Sequence, residues 1–128
     1  MAKTVAVDFD GVIHAYGKGW LDGTIYDEPV PGAFDALRKL METFAVFIHT
    51  TRQPALVGRW IKARSGIETS WGGQPGNLHT VGEFWNQRDC ILVTNRKLPA
   101  IAYIDDRAIR FTSWDQAFSD LERFEPAR

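Results

Sequence analysis

The chain has few of the features that mark secreted, membrane-inserted or nucleic-acid-coating proteins. Cys90 is its single cysteine, which excludes a disulfide within the chain and fits a reducing compartment. No apolar run approaches the ~18–20 residues that span a bilayer, and the first residues lack the apolar region and cleavage site of a signal peptide. The formal net charge of −1 supplies no large positive field for coating nucleic acids or membranes. A cytoplasmic protein is therefore expected.

What the chain does contain is the composition of one folded domain. Its length of 128 residues lies within the range of roughly 100–150 residues that is typical of single domains. With 45% hydrophobic and 24% charged residues, it can bury a core without disulfides or structural metals. We expect a single domain that spans residues 1–128.

Short apolar segments alternate along the chain with segments of helical periodicity. Buried strands are predicted at residues 5–9, 44–48, 91–93 and 100–104. Helices are predicted to begin at Pro31, Pro54, Thr80 and Ser113, the second ending near Gly66 and the last burying a stripe of Trp114, Ala117, Phe118, Leu121 and Phe124. This alternation predicts an α/β fold in which a Rossmann-like parallel sheet lies between two layers of helices, a three-layer α/β/α arrangement.

Residues 11–30 do not fit this alternation. They contain four glycines, and Asp22-Gly23 lies between two short apolar segments in the position of a hairpin turn. A loop and a small β-flap are therefore predicted here. Residues 70–77 are rich in glycine and are predicted to form a loop.

Polar side chains lie at the ends of three predicted strands. Asp8 and Asp10 come at the end of the first, Thr50 follows the second, and Asp105 and Asp106 follow the last. Because the carboxyl ends of parallel strands line one crevice, these side chains are expected to converge there. Carboxylates at one edge repel one another unless a cation lies among them, and Mg²⁺ prefers oxygen ligands of this kind. The pattern therefore predicts a magnesium site.

Taken one at a time, such residues also have ordinary structural explanations. An aspartate after a strand is most often a turn or cap residue, and Lys97 by itself is an ordinary surface lysine. Arg52 fits a contact to substrate phosphate and an exposed position at a helix start equally well. The histidines and Cys90 show no metal-ligand spacing. His49 is more simply a buried histidine with satisfied hydrogen bonds than a substrate contact, and the role of His14 is open in the same way. It is the ordered combination at strand ends that indicates a catalytic site.

In this order the motifs resemble those of the haloacid dehalogenase (HAD) superfamily. Residues 5–12, Val-Ala-Val-Asp-Phe-Asp-Gly-Val, are similar to its first motif, an apolar strand followed by Asp-x-Asp-x-Thr/Val. Residues 47–50, Phe-Ile-His-Thr, are similar to the second motif, Lys97 matches the third, and residues 103–106, Tyr-Ile-Asp-Asp, match the fourth. A receiver domain also gathers acidic residues, Thr and Lys around Mg²⁺, but there the lysine comes last, whereas here it precedes the final acidic pair.

The resemblance implies a Mg²⁺-dependent phosphomonoester hydrolase that works through an aspartyl-phosphate intermediate. Asp8 would be the nucleophile, and Asp10 would act first as general acid and then as general base. The Thr50 hydroxyl and the Lys97 ammonium would bind the phosphoryl oxygens as further catalytic groups, and Arg52 would add a substrate contact.

The resemblance also implies the metal ligands and the reaction class. The residues expected to hold Mg²⁺ are Asp8, Asp10 through its main-chain carbonyl, Asp105 and Asp106. An aspartate at the position of Asp10 is the mark of phosphatases and phosphotransferases in this superfamily, whereas dehalogenases need no such acid. Phosphoryl transfer is therefore favoured over cleavage of a carbon–halogen bond.

The short interval after the first motif resembles the capless group of the superfamily, whose open cleft admits bulky substrates. Phage-type polynucleotide kinases carry a similar small phosphatase module, with an Asp-Asp-Arg stretch like residues 105–107. The chain lacks the Gly-x-x-x-x-Gly-Lys-Ser/Thr loop of a kinase half. A nucleotide, a nucleic-acid end or another bulky phosphate is the expected partner. Four aromatic residues either stack on a base or serve in local packing: Tyr16, Trp20, Tyr26 and Trp71.

Three other functions are compatible with the same residues. The first is a phosphotransferase that uses the same chemistry with an acceptor other than water. The second is a non-catalytic HAD-like module that binds a phosphorylated ligand or a protein, and the third is a Mg²⁺-binding α/β domain without phosphate chemistry. Loss of Asp8, Asp10, Lys97 or the acidic pair would favour the binding module. Because all are present, an enzyme is preferred, while its substrate and oligomeric state stay open.

Overall fold

Five parallel strands form one sheet in the computed structural model, which describes residues 2–72 and 83–124. The strands are β1 (Thr4–Asp8), β2 (Ala45–His49), β3 (Thr69–Ser70), β4 (Ile91–Thr94) and β5 (Ala102–Ile104). Their order across the sheet is β3-β4-β2-β1-β5, so β1 lies between β2 and β5. The predicted α/β fold with a parallel sheet is thereby confirmed. The sequence analysis missed β3, because two residues are too few to show a strand periodicity.

The described helices are α1 (Ala33–Met41), α2 (Pro54–Ser65) and α3 (Trp114–Leu121). The first begins two residues later than predicted, because Gly32 is its N-cap with a φ of 81°. The second begins at Pro54 and ends at Gly66, whose φ of 77° suits a glycine C-cap, as predicted. None of the described helices is long and apolar enough to cross a bilayer.

The two faces of the sheet are covered by different kinds of structure. Helices α1 and α2 pack on one face, where Leu37 and Ile61 join a buried cluster with Ile48. The opposite face is covered by Trp85 and Leu98, which lie in irregular segments. Within the described ranges, the predicted three-layer arrangement therefore has its helical layer on one face only.

The predicted β-flap is wrong in detail, because residues 11–30 form no strand. The segment makes only isolated bridges, from His14 to Asp10 and to Pro29. The predicted turn at Asp22-Gly23 is present, with Gly23 N–H donating to the Trp20 carbonyl and Thr24 N–H donating to the Asp22 carboxylate. We refer to residues 11–30 as the flap segment.

Two further predictions fall largely outside the described residues. The predicted loop at 70–77 has Ser70 in β3, and its residues 73–77 lie in the undescribed range. The helix predicted to begin at Thr80 also begins in that range. Residues 83–90 form bends and irregular structure rather than a helix.

Helix α3 forms as predicted, but the burial predicted for its apolar stripe is wrong. The Ser113 hydroxyl accepts a hydrogen bond from the Gln116 N–H, which is the predicted cap. Nevertheless α3 contributes no buried residue, and Trp114 and Phe118 are exposed. A periodic apolar stripe indicates only that a helix can pack on something, and it does not specify which surface it meets.

Two tryptophans provide a test of this difference in packing. Trp60 is 7% exposed and its ring contacts Phe9 and Phe34, whereas Trp114 is 69% exposed. We expect Trp60→Ala to lower the free energy of unfolding by about 3–5 kcal/mol and Trp114→Ala to lower it by less than about 1 kcal/mol. Urea unfolding followed by far-UV circular dichroism measures both losses, and equal losses would contradict the exposed position of α3.

Candidate active site

Strand register brings the acidic residues to one edge of the sheet. Val7 pairs with Ile104, so Asp8 and Asp105 occupy successive positions on neighbouring strands. Asp8 itself pairs with His49, the last residue of β2, which Thr50 follows. Neighbouring strands lie about 4.8 Å apart. Residues far apart in sequence therefore meet at the carboxyl ends of β1, β2 and β5.

These strand ends form the floor of a small cleft. Its volume is about 170 Å³, and it includes three of the four residues predicted to be catalytic, namely Asp8, Asp10 and Thr50. The other lining residues come from the flap segment, from the end of β2 and from the turn after β5: Tyr16, Trp20, His49, Thr51 and Arg107. Lys97 does not line this cleft.

Asp8 carries the most perturbed carboxyl group of the cleft. Partial burial, together with the nearby carboxylates of Asp106, Asp105 and Asp10, raises its pKa to about 6. A hydrogen bond from the Phe9 N–H, 2.8 Å from Asp8 Oδ1, acts in the opposite direction. Negative charge is therefore concentrated around Asp8, which is where a bound cation would be most stabilised.

Asp10 is oriented by two side chains that converge on its carboxylate. Arg52 Nε donates to both oxygens, at 3.1 Å and 2.9 Å, and His14 Nδ1 lies 2.8 Å from Asp10 Oδ1. His14 Nε2 accepts a hydrogen bond from the Asp27 N–H, so the ring proton that faces Asp10 is on Nδ1. Buried His14 thus links the flap segment to Asp10, a role that the sequence analysis left open.

Arg52 lies inside the protein and not at an exposed helix start. Its side chain is 3% exposed, and its Nη1 donates to the carbonyl of Gly23 in the flap segment. Its guanidinium lies over the ring of Trp20, with Cζ 4.5 Å from the ring centroid. Nη2 is buried without a hydrogen-bond partner. Arg52 therefore joins Asp10 to the flap segment and keeps one donor unused.

Thr50 and Arg52 are held by a neighbour that the sequence analysis missed. Asn95, which follows β4, donates from Nδ2 to the carbonyls of Thr50 and Arg52, at 2.6 Å and 2.8 Å. Thr50 Oγ1 accepts from the Arg52 N–H at 3.1 Å, which leaves the hydroxyl proton to donate into the cleft. An asparagine just after a strand was the available signal, since such residues commonly bond to nearby backbone.

The acidic pair after β5 lies beside the first motif. Asp105 Oδ1 accepts from the Ala108 N–H at 2.9 Å, which is the turn role that the sequence also allowed. Asp106 packs against Gly11, where a Cβ would lie 2.1 Å from Asp106 Oδ2. Gly11 also has a φ of +84°, which disfavours side chains. Both this backbone conformation and the closeness of Asp106 therefore require a residue without a Cβ.

Besides Arg52, two further cations lie at or near the cleft. Lys97 Nζ lies over the ring of Tyr103, 5.4 Å from its centroid, and that ring also contacts His49 of the cleft. Arg107, to which the sequence analysis gave no role beyond its place in the Asp-Asp-Arg stretch, lines the cleft, and its Cζ lies 5.8 Å from the Tyr16 ring centroid. Its signal was its position directly after Asp105-Asp106.

The chemistry of these donors fits a hard divalent cation. The carboxylates of Asp8, Asp105 and Asp106 provide oxygen ligands of the kind that Mg²⁺ prefers, and burial followed by the charges of Asp106 and Asp105 raises the pKa of Asp8. As the side chains stand, no three His, Cys, Asp or Glu residues within 2–72 and 83–124 are arranged around one point. Cys90 is no alternative nucleophile, because burial raises the pKa of its thiol to about 11.

The cleft therefore combines a half-buried carboxyl group, a hydrogen-bonded second carboxylate, a hydroxyl donor and an arginine. Compared with protein family models, curated proteins and solved structures, the chain matches none of them, and its function is inferred from the geometry of this site.

Proposed function

We propose that the protein is a capless HAD-like, Mg²⁺-dependent phosphomonoester hydrolase in which Asp8 is the nucleophile. The observation that supports this most strongly is the meeting of Asp8, Asp10 and Thr50 in one cleft, with Asp105 and Asp106 beside it. A volume of about 170 Å³ accommodates a phosphoryl group and excludes most of an organic substrate. The rest of the substrate then extends out of the cleft.

In the first step an Asp8 carboxylate oxygen attacks phosphorus. A P–O bond to Asp8 forms while the P–O bond to the leaving alcohol breaks, and Asp10 transfers a proton to the departing alkoxide. Thr50 donates its hydroxyl proton to a phosphoryl oxygen, and Arg107 offsets the charge of the transferred group. Lys97 is the second cation proposed for this role.

In the second step water hydrolyses the aspartyl-phosphate. Asp10 takes a proton from the attacking water, and the bond between Asp8 and phosphorus breaks to release inorganic phosphate. Arg52 and His14 keep the Asp10 carboxylate aimed at the cleft in both steps, because they contact its oxygens directly. General acid–base assistance of this kind is worth about 10²–10⁴-fold in rate.

The proposed metal ligands are Asp8, the main-chain carbonyl of Asp10, Asp105 and Asp106. When bound, Mg²⁺ supplies electrostatic stabilisation of the phosphoryl oxygens and neutralises the carboxylate cluster. That neutralisation also favours the ionised form of Asp8, which is the form that attacks.

A direct test combines turnover with trapping of the intermediate. The full chain is assayed for phosphate release from a panel of phosphomonoesters, with Mg²⁺ and with EDTA. A ³²P-labelled substrate is then used for acid quenching, and the protein is examined for a label that hydroxylamine removes, as expected for an acyl phosphate. Mg²⁺-dependent release together with such a label supports the proposal. Release without a trapped label would contradict the covalent mechanism, and absence of release would contradict the phosphatase.

Gly11 allows the role of Asp106 to be tested without changing a carboxylate. Gly11→Ala is expected to cost about 1–2 kcal/mol of stability through its positive φ and, in addition, to displace Asp106. We therefore expect a weaker apparent Mg²⁺ affinity, by about tenfold, measured by titration calorimetry.

The matched control is Gly32→Ala. Gly32 has a φ of +81°, but a Cβ there meets nothing within 4 Å. It should show only the loss of stability that comes from the positive φ, with unchanged Mg²⁺ affinity. Equal Mg²⁺ affinity in the two variants would remove Asp106 from the proposed ligands.

A further inference from the structure

A second, larger pocket adjoins the catalytic cleft. Its volume is about 590 Å³, which lies within the range of about 300–1,000 Å³ typical of small-molecule sites. The flap segment and the start of α2 form its walls, which include Gly23, Ile25, Gln53 and Leu56. Trp20 and Thr51 line both this pocket and the cleft that contains Asp8. A phosphomonoester with its phosphorus at Asp8 can therefore place its organic group here.

One wall of this pocket contains a buried donor that lacks an acceptor. Arg52 lines the pocket, and its Nη2 has no hydrogen-bond partner although the side chain is 3% exposed. Its other nitrogens are engaged, Nε by Asp10 and Nη1 by the Gly23 carbonyl. With two of its three nitrogens hydrogen-bonded, the Arg52 guanidinium is a fixed part of this wall.

The pocket also contains an aromatic ring that is available for stacking. Trp20 is 48% exposed although the Arg52 guanidinium lies over its ring. Leu56 and Ile25 add apolar surface beside it. The Leu21 backbone next to this ring has a φ of 50°, a conformation that is costly for leucine, so the turn that presents Trp20 is maintained against local strain.

The charges of the pocket disfavour an anionic organic group. The charge of Arg52 is already balanced by Asp10, 2.9 Å away. Asp22, the other charged residue among those that line the pocket, is an acid whose carboxylate accepts from Thr24 N–H and Oγ1. A second phosphate or a carboxylate would therefore meet an uncompensated negative charge and no free cation on these walls.

We propose that this pocket binds an uncharged planar group of the substrate, such as the base of a nucleoside monophosphate. The ring lies against the exposed part of Trp20, beside the apolar side chains of Ile25 and Leu56. The inference rests on the proposed function, because it assigns the organic part of the substrate of that same site.

The test compares two phosphomonoesters that differ only in the base, adenosine 5′-monophosphate and ribose 5-phosphate. Base stacking on an aromatic side chain is worth about 1–3 kcal/mol, or roughly 5–150-fold. We expect kcat/KM to be at least about tenfold higher for adenosine monophosphate, mainly through KM. Trp20→Ala should reduce this ratio towards one, and Trp20→Phe should retain most of it. Trp114→Ala, which removes an exposed tryptophan outside the pocket, should leave the ratio unchanged.

A third substrate tests the charge of the pocket. The organic part of 3-phosphoglycerate carries a carboxylate, so it should be hydrolysed no better than ribose 5-phosphate. A preference for 3-phosphoglycerate over adenosine monophosphate would overturn the proposal, as would a ratio near one for the wild-type protein.

Binding without turnover separates this inference from the proposed phosphatase. Adenosine, which has no phosphate, is titrated into the Asp8→Asn variant and followed by saturation-transfer NMR, with ribose as the comparison. Adenosine binding that Trp20→Ala abolishes would support the pocket even if no phosphomonoester is hydrolysed. Hydrolysis without any adenosine binding or preference for a base would overturn the pocket and leave the phosphatase intact.

Discussion

Asp8→Asn is expected to reduce phosphomonoester hydrolysis by at least about 10³-fold while the protein stays folded. The amide has nearly the same shape as the carboxylate, but it cannot act as a nucleophile towards phosphorus, and loss of a nucleophile removes the covalent route altogether. Initial rates with saturating Mg²⁺ measure the loss, and no phosphoprotein should be trapped in the variant.

Asp10→Asn provides the comparison for this result. Asp10 is proposed to transfer protons and not to bond to phosphorus, so its substitution should cost about 10²–10⁴-fold in rate. A slowly formed phosphoprotein should still be trapped in Asp10→Asn. Full activity in Asp8→Asn would contradict the proposed mechanism.

The same Asp8 variant should be more stable than the wild-type protein when Mg²⁺ is removed. Burial first, and then Asp106, Asp105 and Asp10, raise the pKa of Asp8 from 3.8 to about 6. Between pH 4 and pH 6 the folded state therefore binds more protons than the unfolded state, and stability falls as the pH rises through this window. Asparagine carries no charge, so the Asp8→Asn variant does not lose stability in this way as the pH rises.

We expect Asp8→Asn to gain about 1 kcal/mol at pH 7.5, after allowing for solvent screening of a half-buried group. At pH 4, where Asp8 is protonated in the folded protein, the gain should nearly vanish. Urea unfolding in EDTA at the two pH values measures the difference. A gain of equal size at both values would show that the charge of Asp8 is not its cause.

Arg52→Met is expected to lower the free energy of unfolding by about 3–5 kcal/mol. Breaking a buried ion pair leaves the remaining charge uncompensated, and here that charge is the Asp10 carboxylate, which is 16% exposed and keeps only the contact with His14 Nδ1. The substitution also removes the hydrogen bond to Gly23 and the cation–π contact with Trp20. Chemical denaturation of the full chain measures the loss.

Two comparisons identify the buried pair as the cause. Lys62→Met breaks the exposed ion pair with Glu68, which has an N–O distance of 3.1 Å, and should cost less than about 1 kcal/mol. A double-mutant cycle with Asp10→Asn should show that the double variant loses less than the sum of the two single losses. Additive losses, or a loss below about 1 kcal/mol for Arg52→Met, would show that this pair contributes little.

The position of the candidate site could be predicted because it depends on where strands end. Asp8 and Thr50 lie at the ends of short apolar segments that are typical of buried strands, and parallel strands present their carboxyl ends on one side. The structure brings both residues to the cleft. The contacts made by longer side chains could not be predicted in this way. Arg52 looks the same in sequence whether it is exposed or, as here, buried against Asp10.

The sequence pattern also did not predict which helices pack on the faces of the sheet. The apolar stripes of α1 and α3 look alike, yet Leu37 of the first is buried and Trp114 of the second is exposed. Periodicity reports which residues share a helix face, whereas burial depends on whether another element lies opposite that face. The predicted β-flap failed for a related reason, since a turn at Gly23 does not require paired strands on either side.

For this protein, the amino-acid order alone determined the parallel α/β fold and the strand ends at which Asp8, Thr50, Asp105 and Asp106 lie. These are local properties, because an apolar segment and the polar residue that ends it are neighbours in the chain. Only the tertiary structure decided that Arg52 bonds to Asp10, that Asn95 holds the loop after β2, and that Trp20 and Arg52 share a pocket. Those contacts join residues that are tens of positions apart, and their free energies depend on packing and desolvation that exist only once the chain has folded.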